Sequence, residues 1–140
     1  AAEAARAAML RDQGARAREE EARRRSVAAA DDRGRRAAMF REVLAIDPDD
    51  ALANFGLGRL LAEEGRFGEA IDRLERALAA DPRYSAAFLE LGRAREAAGE
   101  REAAVDAYRR GVEVAAARGD LATASTMQER LGALTVRADA

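Results

Sequence analysis

Residues 48–82 and 82–116 carry one pattern twice, 34 residues apart. Pro48 recurs as Pro82, Leu57-Gly58 as Leu91-Gly92, and Gly65-Arg66 as Gly99-Glu100. Ala70, Leu74 and Ala77 recur as Ala104, Tyr108 and Gly111. A fixed period of this size marks a stacked array of helix pairs rather than a closed globular domain, because one pair cannot bury its apolar stripe without neighbours. Arrays of this kind are usually surfaces for other proteins, so the repeat argues for interaction over catalysis.

Composition narrows the choice further. Aromatic residues make up 4% of the 140 residues and Trp is absent, so a core must be built from Leu, Ala, Val and Ile with a few Phe and Tyr. Two prolines suit a mostly helical chain. Every basic residue is Arg, the bias expected of a GC-rich, bacterial coding sequence. Residues 1–36 hold ten Arg against seven acids, and the remainder fourteen against nineteen. That contrast is too weak to imply nucleic acid, and no aromatic residues interleave with the Arg. No run approaches the ~20 apolar residues of a membrane span. Residues 1–10 lack the apolar core of a signal peptide. Residue 1 is Ala, so the chain is expected either to have lost its Met or to be a fragment. The cytoplasm is the expected location.

The helix pattern is read from apolar spacing and breakers. Residues 1–30 are Ala, Arg and Glu with few large apolar side chains, and Glu19, Glu20 and Glu21 lie four before Arg23, Arg24 and Arg25 on a helix. This predicts a long solvated helix without a sustained heptad seam. Asp31 or Asp32 is expected to cap a new helix over 35–46, which Asp47-Pro48 ends. Further helices are expected at about 50–64, 67–80, 84–98 and 101–117, separated by Gly65, Asp81-Pro82 and Gly99. Asp120 should cap a last helix over 120–134, and 135–140 should be loose.

The order Leu57-Gly58, Leu61, Gly65, Phe67, Ala70, Leu74, Ala77, Pro82 resembles a tetratricopeptide repeat, and Phe88, Leu91-Gly92, Gly99, Ala104, Tyr108, Gly111 resembles a second. Residues 36–48 resemble the second half of another, with Phe40, Val43 and Pro48 at the places of Leu74, Ala77 and Pro82. Its first half should lie near 17–30, where Arg23-Arg24 stands instead of Leu-Gly. The resemblance implies an all-α, right-handed solenoid of antiparallel hairpins. Residues 1–32 would be an arm or degenerate repeat. Residues 33–134 would be the array proper: a half repeat at 35–48, full repeats at 50–82 and 84–117, and a capping helix at 120–134. Gly58, Gly92, Ala70 and Ala104 are small where paired helices should cross most closely, and overpacking such a place costs about 1–3 kcal/mol.

In this family the first helix of each pair lines a concave groove. Carried over by spacing, the groove positions are Leu52, Phe55, Arg59 and Glu63, then Ala86, Leu89, Arg93 and Ala97, then Thr123, Met127 and Arg130. Arg59, Arg93 and Arg130 would form a ladder for the carboxylates of an extended peptide, with Phe55 and Leu89 as an apolar shelf. The same side chains also suit an ordinary solvated surface. The Lys and Asn pattern by which chaperone-binding members clamp a C-terminal carboxylate is absent: there is no Lys, and Asn54 is the one Asn.

Catalysis is the least supported reading. With no His, Cys or Lys the usual bases, nucleophiles and metal ligands are missing, so no cofactor or metal is expected. The acid pairs Glu63-Glu64 and Asp49-Asp50 sit at helix ends, where acids cap or solvate. Gly56-Leu57-Gly58 falls inside a helix, unlike a phosphate loop. The leading expectation is a scaffold that holds a protein or peptide partner. The alternative is a self-assembly module in which residues 1–30 drive formation of a homo-oligomer.

Overall fold

The computed structural model describes residues 1–139. Six helices account for them: α1 Ala2–Ile46, α2 Ala51–Glu63, α3 Phe67–Ala80, α4 Ser85–Ala97, α5 Arg101–Arg118 and α6 Leu121–Asp139. There are no strands among the described residues, and no helix there is long and apolar enough to cross a membrane. The chain divides into two compact units, residues 1–36 and the part that begins at Ala37.

Residues 2–36 are helical without burying a side chain. Ala, Arg and Glu supply helix propensity, and pairs four apart add to it: Arg16 with Asp12 at 2.9 Å, Arg24 with Glu20 at 2.8 Å, Arg25 with Glu21 at 2.6 Å. Each such exposed pair contributes about 0.3–0.5 kcal/mol. The expected new start at Asp31 or Asp32 does not occur, and α1 runs unbroken to Ile46. Neither Asp stops a helix, and Gly34 costs only about 1 kcal/mol against Ala. The first residue that cannot continue the ladder is Pro48.

From Ala37 onward, sequence repetition becomes structural repetition. The Asp-Pro turns are alike: Asp49 N–H donates to Asp47 Oδ1 at 3.1 Å, and Arg83 N–H to Asp81 Oδ1 at 3.0 Å. The helix C-termini are alike too. Gly65, Gly99 and Gly119 have φ of 79°, 80° and 75°, a region that favours glycine. The amide after each glycine bonds back five residues, Arg66 to Leu61, Glu100 to Arg95 and Asp120 to Ala115, which satisfies the last carbonyls of the helix. Asp50 caps α2 by accepting from Ala53 N–H at 2.8 Å. The loose tail expected over 135–140 is helical through Asp139, with Thr135 Oγ1 donating to the Leu131 carbonyl at 2.8 Å; residue 140 lies outside the described residues.

α2 and α3 form one antiparallel hairpin and α4 and α5 the next. A Cβ on Gly58 would lie 2.9 Å from Leu74 Cγ and 3.3 Å from the Ala70 carbonyl. One on Gly92 would run into the Tyr108 ring. The expected close crossings are therefore real, 34 residues apart. The core runs through the stack. Ala37, Phe40 and Leu44 pack on Ala53, Leu57 and Leu61. Ile71 and Leu74 join Leu91 and Ala107. Phe88 and Tyr108 join Ala124, Met127 and Leu134 of α6. Polar ties link successive layers. Ser85 Oγ donates to Asp120 Oδ2 at 2.8 Å, and the Arg118 guanidinium donates to the Arg83 carbonyl.

Candidate peptide-binding groove

The first helices of the two hairpins bring several of the expected residues together. Arg59 and Glu63 of α2, Phe67 at the start of α3, and Glu90, Arg93 and Ala94 of α4 line a cleft of about 340 Å³. Arg59 makes no ion pair among the described residues; its guanidinium lies 5.9 Å from the Phe55 ring centroid. Such stacking leaves the guanidinium edges open to a carboxylate. Arg93 is half-exposed and loosely paired with Glu90 at 3.3 Å. The cleft therefore offers two cations flanked by two acids, Glu63 and Glu90.

An aromatic shelf lies at the other end of α2. Phe55 is half-buried and stacks on Tyr84 with ring centroids 4.7 Å apart and planes tilted 35°. Tyr84 stands 36 residues after Pro48 in sequence, on the turn into α4, and its place in the shelf was not signalled by apolar periodicity. Its phenol is held above the usual tyrosine range by burial first, then by the charge of Asp81. Leu52 is exposed on the first turn of α2, while Leu89 is half-buried against the last core cluster. Ala86 is half-buried and Ala97 exposed.

The third layer departs from expectation, and the reason is register. α2 and α4 begin 34 residues apart, but α4 and α6 begin 36 apart, at Ser85 and Leu121. α5 is four residues longer than α3, 18 against 14, and the connection after it is shorter. Met127 therefore takes the place of core residue Leu91, not of Arg93. It is fully buried, with its sulfur against Gly111, and faces no groove. Arg130 is also not a rung of the ladder. Its Nε donates to Glu96 Oε2 at 3.1 Å, and its Nη2 to Glu96 Oε1. Tyr108 O–H donates to the same carboxylate at 2.5 Å. Burial, then this hydrogen bond to Glu96, pushes the Tyr108 phenol well above its ordinary value. Counting 36 from Leu89 and Arg93 reaches Ser125 and Glu129, both exposed. The charge sequence along the three layers is thus Arg59, Arg93, Glu129. Thr123 is half-buried.

Asn54 is wholly buried. Its amide donates to the carbonyls of Pro48 at 3.0 Å and Asp50 at 3.1 Å, and its oxygen accepts from Arg73 at 3.3 Å. It ties the turn to α2 and α3 and is spent on structure.

Residues 61–130 match the family model described as Tetratricopeptide repeat. The chain belongs to the tetratricopeptide repeat family. A TPR repeat-containing protein of Pseudomonas aeruginosa is 40% identical over 79 residues, covering 56% of this chain and 75% of the relative. A Bordetella parapertussis protein solved in solution is 33% identical, with TM-score 0.64 over 72% of this chain and 88% of that one. The crystal structure of PcrH in complex with the chaperone binding region of PopD has TM-score 0.73 at 20% identity, covering 77% of this chain and 82% of that one; this shows the shared fold. Tetratricopeptide repeat proteins are generally non-catalytic scaffolds.

Proposed function

We propose that this tetratricopeptide repeat protein is a non-catalytic scaffold that holds an extended segment of a partner protein in the cleft between α2 and α4. The observation that carries the reading is Arg59: a cation stacked on Phe55, with no carboxylate partner among the described residues, beside Arg93 in one cleft. Two guanidinium groups a repeat apart suit acidic side chains spaced along an extended peptide, and the Phe55–Tyr84 shelf suits an apolar side chain next to them. Glu129 one layer further favours a basic residue at the far end of that segment. The PcrH structure, which holds the chaperone binding region of another protein, supports use of this fold for such a segment.

A displayed peptide library selected on the full chain tests this. The selected peptides should be enriched in Asp or Glu beside an apolar residue. Their affinity should fall by about tenfold or more, roughly 1.4 kcal/mol, in an Arg59→Glu, Arg93→Glu variant whose melting temperature is unchanged. Binding that survives the double charge reversal would overturn the proposal.

A further inference from the structure

The array also forms a second kind of cleft, which contains neither Arg59 nor Arg93. One copy, of about 310 Å³, is lined by Arg41, α2, Arg66 and α3. Another, of about 350 Å³, is lined by α3, α4 and α5. They are one cleft repeated: adding 34 to the residues that line the first gives residues that line the second at every place but one. Leu57 recurs as Leu91, Asp72 as Asp106 and Arg76 as Arg110.

The charges do not recur. In the later cleft they are matched. Glu75 accepts from Arg95 Nη2, Arg95 Nη1 donates to Glu100 at 2.9 Å, and Asp106 lies 3.6 Å from Arg110. In the earlier cleft this chain of pairs is broken at each link: Arg41 stands in the place of Glu75, Leu61 in that of Arg95, and Arg66 in that of Glu100. Two of its four cations are fixed by the protein. Arg66 Nε lies 2.6 Å from Glu69 and its Nη1 3.5 Å from Glu64, while Arg73 donates to the oxygen of buried Asn54 at 3.3 Å. Arg41 and Arg76 make no ion pair among the described residues. With Arg66 set against Glu69, the cleft holds Arg41, Arg73 and Arg76 against Asp72 alone. Gathered like charges repel one another, so a bound anion stabilises such a cleft.

We propose that this cleft binds a phosphomonoester. At neutral pH the group carries a charge of about −1.5 to −2 and three strong acceptor oxygens, which matches the cation excess. Guanidinium forks meet phosphate oxygens in bidentate pairs. Here the forks come from α1, from the turn before α3 and from α3 itself. Donors on separate elements suit a tetrahedral group better than a carboxylate, whose two oxygens lie in one plane. Two sources carry this group, a phosphorylated side chain of a protein and a small phosphorylated metabolite.

Two probes distinguish the sources: a pentapeptide with phosphoserine at the centre of four alanines, and glycerol phosphate. Each is titrated into the isotope-labelled full chain at fixed ionic strength, because salt screens exposed charges. Backbone amide shifts should saturate and centre on Arg41, Arg66, Arg73 and Arg76. Tighter binding of the peptide assigns the group to a protein side chain, and tighter binding of glycerol phosphate to a metabolite. Arg41→Glu restores the acid of the later cleft and should weaken the tighter probe by about tenfold or more, with an unchanged melting temperature. Glutarate, a dianion with carboxylates only, is the control. The proposal is overturned by any of four results: no saturable shift with either phosphate, shifts centred on Arg59 and Arg93, glutarate bound as tightly as phosphate, or affinity unchanged in Arg41→Glu.

Discussion

The half-repeat at 37–46 and the full hairpin α4–α5 occupy equivalent places in the array and have different surroundings. Phe40, Leu74 and Tyr108 fill the same position; the last two are fully buried, and Phe40 is half-exposed. Val43, Ala77 and Gly111 fill another, where residues enclosed on two sides are small and the residue covered on one side is not. The comparison teaches that burial in this array follows the number of helices that close over a position. Stability should follow the same rule, since energy in stacked repeats comes largely from neighbours.

The largest expected contrast is between Leu74→Ala and Phe40→Ala. Leu74 has no exposed surface, so its truncation should cost about 3–5 kcal/mol in urea denaturation. Phe40, with one neighbour missing, should cost about half as much despite the larger side chain. Equal losses would break the comparison. Overpacking sharpens it next. Gly92→Val should cost about 2–3 kcal/mol, because Tyr108 stands where the new side chain must go. Gly34→Ala, with no atom within 4 Å of the added carbon, should instead raise stability by about 1 kcal/mol.

A pH effect distinguishes the last hairpin from the first. The Tyr108 phenol titrates above its unfolded value of 10.0, because burial and Glu96 disfavour the phenolate. Stability from this group is fully present below pH 10 and is lost as pH rises through the folded pKa. Alkaline unfolding should steepen above pH 10 in the wild-type chain and flatten in Tyr108→Phe, as followed by far-ultraviolet circular dichroism against pH. The smallest effect belongs to the exposed helix: Glu20→Ala should change stability by no more than about 0.5 kcal/mol.

Much of this arrangement is legible in the sequence because its punctuation is strong. Pro48 and Pro82 stop helices, Gly65 and Gly99 take a left-handed conformation, and the Gly58 and Gly92 crossings need a side chain of no size. Weaker punctuation misled. Asp31 and Asp32 suit a cap but do not compel one, so α1 continues through them. The period brings Arg59, Glu63 and Arg93 into one cleft, as spacing indicated, and loses the register beyond it. Two extra residues between the starts of α4 and α6 turn Met127 into core and put Glu129 where a third Arg was expected, a slip that helical spacing within α6 could not reveal. Arg130 was misplaced for a different reason: its partner Glu96 lies 34 residues away, and no local pattern announces a pair across two helices.

The most direct test is to titrate a selected acidic peptide into the isotope-labelled full chain and map backbone amide shifts by nuclear magnetic resonance. The account predicts the largest shifts at Phe55, Arg59, Glu63, Glu90 and Arg93, with little change around Asp72 and Asp106 on the second helices of the two hairpins. Shifts concentrated on α3 and α5, with α2 and α4 unmoved, would contradict it.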